Sequence, residues 1–329
     1  MKYLILGSGS FAGQLIFSEY LERNYDVYGF NRSRVKDHYQ WPWIKKYKND
    51  LGNRWFEYNL TNDVEEMISH INRLKPNFII DFMGQGMVAP SWLKPEVWYT
   101  TNIAIKSRLM NALIDSSFLQ KYIRIGTPEV FGSNENFLKE DECFNPSTPY
   151  AVSHAAIDFN LRCLYKQYNF PYLIGRFANF YGVGQQLYRI IPRLFLSCRS
   201  ERNFILDGKG ESRRSFIFSK DIVSAIDSMI KFDGIGQEFN FSSNEEISIM
   251  SLVNKICNLT NVDKSRILKF GPERPGKDRY YRLDIKKSKN VLNWEPEVSL
   301  DEGLNIINIW ISENIENLSN KSWTYEYKD

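Results

Sequence analysis

Residues 3–6 form a short apolar run that ends in Gly7-Ser8-Gly9-Ser10-Phe11-Ala12-Gly13. Residues 12–21 then carry apolar side chains at helical spacing, and residues 26–30 return to a short strand-like run. Strand, glycine turn, helix, strand is how a doubly wound parallel sheet begins, and it leaves few other folds open. The small residues let the backbone approach a pyrophosphate, and the helix start offers its free N–H groups. Without a ligand the same turn is an ordinary tight connection; the alternation that follows favours a nucleotide site. That alternation runs through a helix over 64–74, a strand over 78–83, a helix over 98–114 and a strand over 122–125.

The pattern loosens after residue 150. A helix to about 168 and a strand over 172–176 are followed by loops rich in Gly, Asn, Tyr and Arg, and a helix over 251–260 precedes the loop Pro272-Glu273-Arg274-Pro275-Gly276-Lys277-Asp278. The expected class is α/β: a Rossmann domain over residues 1–175, rejoined by parts of 210–245, with a smaller C-terminal α/β lobe over 176–329 for substrate.

With 329 residues and 43% hydrophobic content, the chain can bury such a core without disulfides or metal. Basic and acidic residues number 42 and 39, the net charge is +3, and no long run of one sign occurs, so neither nucleic acid nor a membrane is the expected partner. Cys143, Cys163, Cys198 and Cys257 lack metal-ligand spacing and read as reduced thiols, and no metal site is expected. The apolar run before Gly7 is too short for a signal peptide, and no window approaches the roughly 18 apolar residues of a membrane span. A cytoplasmic location is the expectation.

The end of the second strand reads Phe30-Asn31-Arg32-Ser33. An acid there would hold an adenosine ribose; a neutral Asn31 removes repulsion against a 2′-phosphate, and Arg32 is suited to pair with one, which leans toward NADP over NAD. The alternative is a solvated Arg32 with Asn31 on a plain ribose. Asn59 and Leu60 follow a third strand-like run and are placed to flank the adenine. Further on, Thr127-Pro128-Glu129-Val130-Phe131-Gly132 puts a hydroxyl and a carboxylate on one turn, and Tyr150-Ala151-Val152-Ser153-His154 opens an apolar helical segment with a phenol. Singly, these are a turn cap, a loop carboxylate and a core aromatic; together and in this order they suit proton and hydride chemistry on a sugar.

These pieces, with Arg176-Phe177-Ala178-Asn179-Phe180-Tyr181-Gly182, the segment 214–221 and Arg274-Pro275-Gly276-Lys277-Asp278, resemble the extended short-chain dehydrogenase/reductases, and among them the nucleotide-sugar 4,6-dehydratases. The 274–278 segment looks most like the dTDP-glucose branch; the interval from Thr127 to Tyr150 is closer to the GDP-mannose branch. The resemblance implies an internal redox cycle on an NDP-hexose. Tyr150 takes the C4 hydroxyl proton while Thr127 holds that hydroxyl, Glu129 removes C5–H, water leaves from C6, and hydride returns from a tightly bound NADP or NAD. Gly7, Gly9, Ser10, Phe11, Ala12, Gly13, Asn31, Arg32, Asn59, Leu60, Met83, Tyr150, His154 and Phe177 would hold the dinucleotide. Gln85 and Ser91 would line the sugar pocket, and Asn179, Arg189, Arg214 and Arg274 would grip the diphosphate. A homodimer joined through a four-helix bundle is implied as well.

Two positions depart from the resemblance. The family lysine four residues after the tyrosine is His154, on the same helix face as Tyr150 but with an ordinary pKa near 6.5. Pro128 replaces the dTDP-glucose branch's aspartic acid and cannot donate a proton to the leaving water. The GDP-mannose branch has serine there, which leaves Glu129 to serve as base and acid. Open alternatives are a 4-epimerase, a 5,6-dehydratase, or a catalytically impaired dinucleotide-binding regulatory protein. Glu129 disfavours a simple epimerase, because C4 epimerisation needs no C5 base.

Overall fold

Seven strands lie side by side, all parallel, in the order Gln237–Phe241, Tyr172–Phe177, Lys121–Gly126, Phe78–Asp81, Lys2–Leu6, Asp26–Asn31 and Trp55–Glu57. This is a computed structural model, and it describes residues 1–33, 43–47, 51–273, 276 and 278–325. The strand order reverses direction between Lys2–Leu6 and Phe78–Asp81, where a crevice opens beyond the carboxyl ends of the strands. The central strands are apolar on both sides because both faces are covered. Ile16, Phe17 and Tyr20 of the Phe11–Glu22 helix pack over one face with Ile222 and Ile226 of the Ser219–Lys231 helix. Met67 and Ile71 of Val64–Leu74 cover the other with Ile157 and Leu161 of Pro149–Tyr168.

A separate core, with Leu194, Phe195, Phe204, Leu252, Ile256 and Leu304, holds the C-terminal lobe. The lobe is interleaved with the sheet in sequence, since the Ser219–Lys231 helix and the Gln237–Phe241 edge strand return to it. Tyr20 fastens that returning helix by donating to Asp227 at 2.9 Å.

Two elements differ from the sequence expectation. The strand begun at Phe78 stops at Asp81, because the Asp81 carboxylate accepts the Met83 N–H at 2.9 Å and turns the chain. The single helix expected over 98–114 starts at Pro95, ends at Asn111 and is wound as a π-helix over Thr100–Ile105. The wider turn carries Asn102 inward, where it bonds the backbone N–H and C=O of Gln85 and donates to Ser153 Oγ at 3.0 Å. It thereby ties the loop after Asp81 to the helix that bears Tyr150.

Candidate active site

The glycine turn lies at the carboxyl end of the first strand. Gly7 has φ +75°, and a Cβ there would meet the Met83 backbone at 2.9 Å; on Gly9 a Cβ would lie 2.3 Å from the Asn31 carboxamide. Both positions need glycine, because the turn packs directly against Met83 and Asn31 and leaves no room for a side chain. Ser10 caps the first helix, its Oγ accepting the Gly13 N–H at 3.0 Å, which accounts for a serine where the family pattern has glycine. Phe11 and Ala12 are buried beneath the turn.

Asn31 donates to the Ser33 carbonyl at 2.8 Å, and Arg32 is exposed beside it. Asn59 Oδ1 caps the Thr61 N–H, while Leu60 is buried in the sheet core. Met83 is half-buried at the rim of the crevice. Phe177, at the end of its strand, is buried and stacked on Phe241 with ring centroids 4.7 Å apart. Leu60 and Phe177 thus form floor rather than rim.

Thr127 directly follows the Lys121–Gly126 strand and caps a 3-10 turn over Pro128–Phe131, its Oγ1 accepting the Glu129 N–H at 3.3 Å. Pro128 takes the first position of that turn, where no N–H is needed and its fixed φ pre-forms the bend. The turn presents the Glu129 carboxyl to the cleft. Burial pushes this carboxyl up to about 7 against the pull of Arg214, with Asp278 adding to the rise and a Tyr281 hydrogen bond opposing it. Its Oε2 is buried and has no hydrogen-bond partner.

Tyr150 is placed by the start of the Pro149–Tyr168 helix. Thr148 Oγ1 accepts the Ala151 N–H at 3.1 Å, Pro149 occupies the first helical position, and Ser91 Oγ accepts the Tyr150 N–H at 3.1 Å while donating to Val88 O at 2.6 Å. Ser91 is fully buried and holds the helix start. Burial and then the Glu129 carboxylate hold the Tyr150 phenol above its ordinary value, opposed by a Thr127 hydrogen bond and by Arg124 and Arg189. One helical turn on, the His154 ring lies 4.4 Å from that of Tyr150. Its Nδ1 is 2.9 Å from Nη2 of Arg124, and burial, with Arg124 and Lys106, keeps its pKa well below the ordinary imidazole range.

On the substrate side Arg214 is buried, donating to the carbonyls of Arg213, Asp278 and Arg279, with its guanidinium 4.1 Å from the centre of the Tyr281 ring. Arg189 stands at the N-terminal boundary of the Ile190–Ser200 helix, without a side-chain cap bond, and, like Arg214, acts on Glu129. Asn179 is exposed at the start of a strand paired with Phe216, and Gln85 is held by Asn102. Arg274 lies outside the described residues. Thr127, Glu129, Tyr150, His154, Arg189 and Arg214 are brought together around the Glu129 carboxyl and the Tyr150 ring. The sequence reading missed Tyr281, Asp278 and Arg124. Asp278 closes the 274–278 segment without a role of its own in that reading, and the local signal for Tyr281 was the Arg279-Tyr280-Tyr281 run that follows it.

Among the described residues no cluster of three or more His, Cys, Asp or Glu is set to hold a metal, and no helix is long and apolar enough to cross a membrane.

A Rossmann sheet with a glycine crevice, a Tyr150–His154 pair on one helix and a hydroxyl–carboxylate turn beside it define an extended short-chain dehydrogenase/reductase. Within that class the chain belongs to the family described as GDP-mannose 4,6 dehydratase, which it matches over residues 4–307. It is similar to the low-salt glycan biosynthesis protein Agl12 of Haloferax volcanii, 26% identical over 92% of this chain and 96% of the relative. It is also similar to the dTDP-D-glucose 4,6-dehydratase of Mus musculus, 26% identical over 75% of this chain and 70% of the relative. The fold superposes on DesIV, a dTDP-glucose 4,6-dehydratase from Streptomyces venezuelae with NAD bound, with a TM-score of 0.85, 21% identity, and 96% and 98% of the two chains covered.

Proposed function

We propose that this protein is a nucleotide-diphosphate-sugar 4,6-dehydratase. The observation that carries the reading is Glu129: a carboxyl pushed up to about 7, with one bare buried oxygen, on the same turn as Thr127 and within the field of Tyr150. A base poised near neutrality suits abstraction of the C5 proton once C4 is a ketone. The glycine turn suits a nicotinamide dinucleotide: Gly7 and Gly9 leave no room for side chains against Met83 and Asn31, and the small residues let the turn's backbone and the helix start approach a pyrophosphate. Gly7, Gly9, Ser10, Phe11, Ala12 and Gly13 would carry its pyrophosphate, Asn31 and Arg32 its adenosine ribose, and Tyr150 with His154 its nicotinamide ribose. Once held there, such a cofactor would supply a hydride acceptor for C4 and a hydride donor for C6.

Tyr150 receives the C4 hydroxyl proton, with Thr127 holding that hydroxyl. Glu129 takes the C5 proton and, because Pro128 has none to give, passes it to the departing C6 hydroxyl; as hydride reaches C6, Glu129 delivers a solvent proton to C5, balanced by the O4 proton that Tyr150 releases to solvent. Arg189, Arg214 and Arg274 offer guanidinium forks to the diphosphate, helped by Asn179. Gln85 faces the hexose. The neutral Asn31 and the adjacent Arg32 favour NADP. Our reading extends to a cytoplasmic homodimer joined through the Pro149–Tyr168 helix, on which Val152 and Phe159 are exposed, and to a role in deoxysugar or polysaccharide biosynthesis.

The test is incubation with a panel of NDP-hexoses and either cofactor, followed by mass spectrometry of the sugar nucleotides. Loss of one water from one substrate, without net cofactor consumption, is the expected result. A product of unchanged mass with inverted C4 would replace the reading with epimerisation.

A further inference from the structure

His154 stands where the family resemblance puts a lysine, yet the imidazole carries no charge: burial, Arg124 and Lys106 all keep it neutral. The cation stands directly behind it. Arg124 projects from the Lys121–Gly126 strand, is 2% exposed and places Nη2 2.9 Å from His154 Nδ1. A guanidinium has only donors, so Nδ1 is the bare acceptor and the neutral ring carries its proton on Nε2.

Other buried cations nearby have carboxylates. Lys106 sits 2.6 Å from Asp81, and Arg176 lies 2.8 Å from Asp158 and 2.7 Å from Glu238. Arg124 forms no ion pair among the described residues. It donates to the Ile125 carbonyl, its Nε has no partner, and Asp158, which feels its field, is bonded to Arg176. A buried cation without a carboxylate is a costly arrangement that well-packed apolar residues would improve on. Here it touches the ring that packs against Tyr150, and its field reaches the Tyr150 hydroxyl.

We propose that Arg124 is a positioning residue: it locks His154 as the neutral Nε2–H tautomer and supplies, from behind the imidazole, the fixed positive charge that favours the Tyr150 phenolate. The lysine's two duties, a donor toward the cofactor ribose and a charge for the tyrosine, are thereby divided between two side chains. The groups facing Tyr150 are Glu129, which opposes the phenolate, and Arg124 and Arg189, which favour it; those facing His154 are Arg124 and Lys106. The catalytic consequence rests on the dehydratase reading, whereas the tautomer and the charge do not.

The experiment begins with nitrogen-15 NMR of the histidine side chains in the intact, wild-type protein. The chain has three histidines, so a His154→Gln variant assigns the signal. The expected spectrum shows a neutral ring protonated on Nε2 that does not titrate between about pH 5 and 8. An Nδ1–H ring or an imidazolium at neutral pH would overturn the proposal without any folding question. In Arg124→Gln the imidazole should begin to titrate in that window. The acid limb of kcat/KM should move up by about one pH unit, a tenfold loss below the limb. Arg124→Lys should keep the wild-type limb. The double variant Arg124→Gln/His154→Lys should recover it, whereas His154→Lys alone sets two cations together and should not. If Arg124→Gln leaves both the limb and the tautomer unchanged, the proposal fails. If no sugar nucleotide turns over, the NMR result still decides the tautomer, and a tyrosinate difference spectrum of wild type against Tyr150→Phe, with and without Arg124, decides the charge.

Discussion

Tyr281 stands close enough to Glu129 to pull its carboxyl pKa back down against burial, so a phenol from the C-terminal part of the chain acts on the group that the Thr127 turn presents. Asp278, which acts on both Glu129 and Tyr281, accepts from Ser147 Oγ at 2.8 Å. Tyr281 favours the charged form of Glu129, and losing its hydroxyl raises the Glu129 pKa above its value of about 7. The base works ionised, so Tyr281→Phe should move the acid limb of C5 hydrogen exchange to higher pH by up to about one unit while changing the plateau only a few-fold. Solvent deuterium incorporation followed across pH checks this, and an unmoved limb would show that Tyr281 does not act on Glu129.

Replacing Glu129 should separate the two halves of the reaction. In Glu129→Gln the C4 step retains Tyr150 and Thr127, so reduced cofactor should accumulate on mixing with substrate, while water loss falls by about 10²–10⁴-fold. Stopped-flow absorbance of the nicotinamide together with product mass reads both steps. Equal loss of both would mean that Glu129 serves binding rather than proton removal.

The same residue links pH to stability. The Glu129 carboxyl is raised in the folded protein from 4.5 to about 7, so its favourable contribution is complete below the unfolded value and is lost as pH rises through about 7. Glu129→Gln removes that penalty and should be more stable than wild type at pH 8, by no more than roughly 3 kcal/mol. At pH 4 the difference should vanish. Urea unfolding at the two pH values measures it; a variant equally destabilised at both would mean that Glu129 is held by packing instead.

The parts of the site that were legible in the sequence are those whose members are close in the chain. The glycine turn reads from its place between a strand and a helix, the Thr127 turn from its own residues, and Tyr150 with His154 from their four-residue spacing on a helix face. Arg124 was not legible: within Tyr122-Ile123-Arg124-Ile125 it reads as one interruption of a buried strand. Its meeting with His154, 30 residues on, depends on how the helix packs against the sheet. Tyr281 reaches Glu129 only because the segment after Asp278 folds back over the cleft, held by the Leu138 to Leu283 bridge and by Ser133 Oγ, which accepts the Arg279 N–H at 3.1 Å. Local pattern carries no trace of such closures. The π-helical turn was hidden for a related reason, since Asn102 is drawn inward by Gln85 and Ser153, not by its neighbours.

Asn31 offers a test of cofactor choice. Its carboxamide faces Gly9 and donates to Ser33 O at 2.8 Å, at the strand end where an acid would accept ribose hydroxyls and repel a 2′-phosphate. Asn31→Asp should shift the ratio of NAD to NADP affinity toward NAD by about tenfold, equivalent to roughly 1.4 kcal/mol. Calorimetric titration with both dinucleotides measures the shift. No change in the ratio would place selectivity elsewhere, with Arg32 the next candidate.

Beneath the site, Lys106 and Asp81 form an ion pair at 2.6 Å, both nearly free of solvent, and Asp81 also accepts from Tyr122 at 2.9 Å. Burial lowers the Lys106 pKa to about 8 although Asp81 opposes that shift, so the pair offsets a large desolvation cost. Removing one member leaves the other charged or unsatisfied inside the sheet, and Asp81→Asn or Lys106→Met should each cost about 3–5 kcal/mol. Removing both with apolar residues of similar volume, as in Asp81→Leu/Lys106→Met, should cost less than the sum, the Tyr122 hydroxyl and the Met83 N–H being the groups left without their acceptor. Urea midpoints of the two single variants and the double, at unchanged m, give the coupling directly. Additive losses would mean that the two charges stabilise the fold independently, through neighbours other than each other.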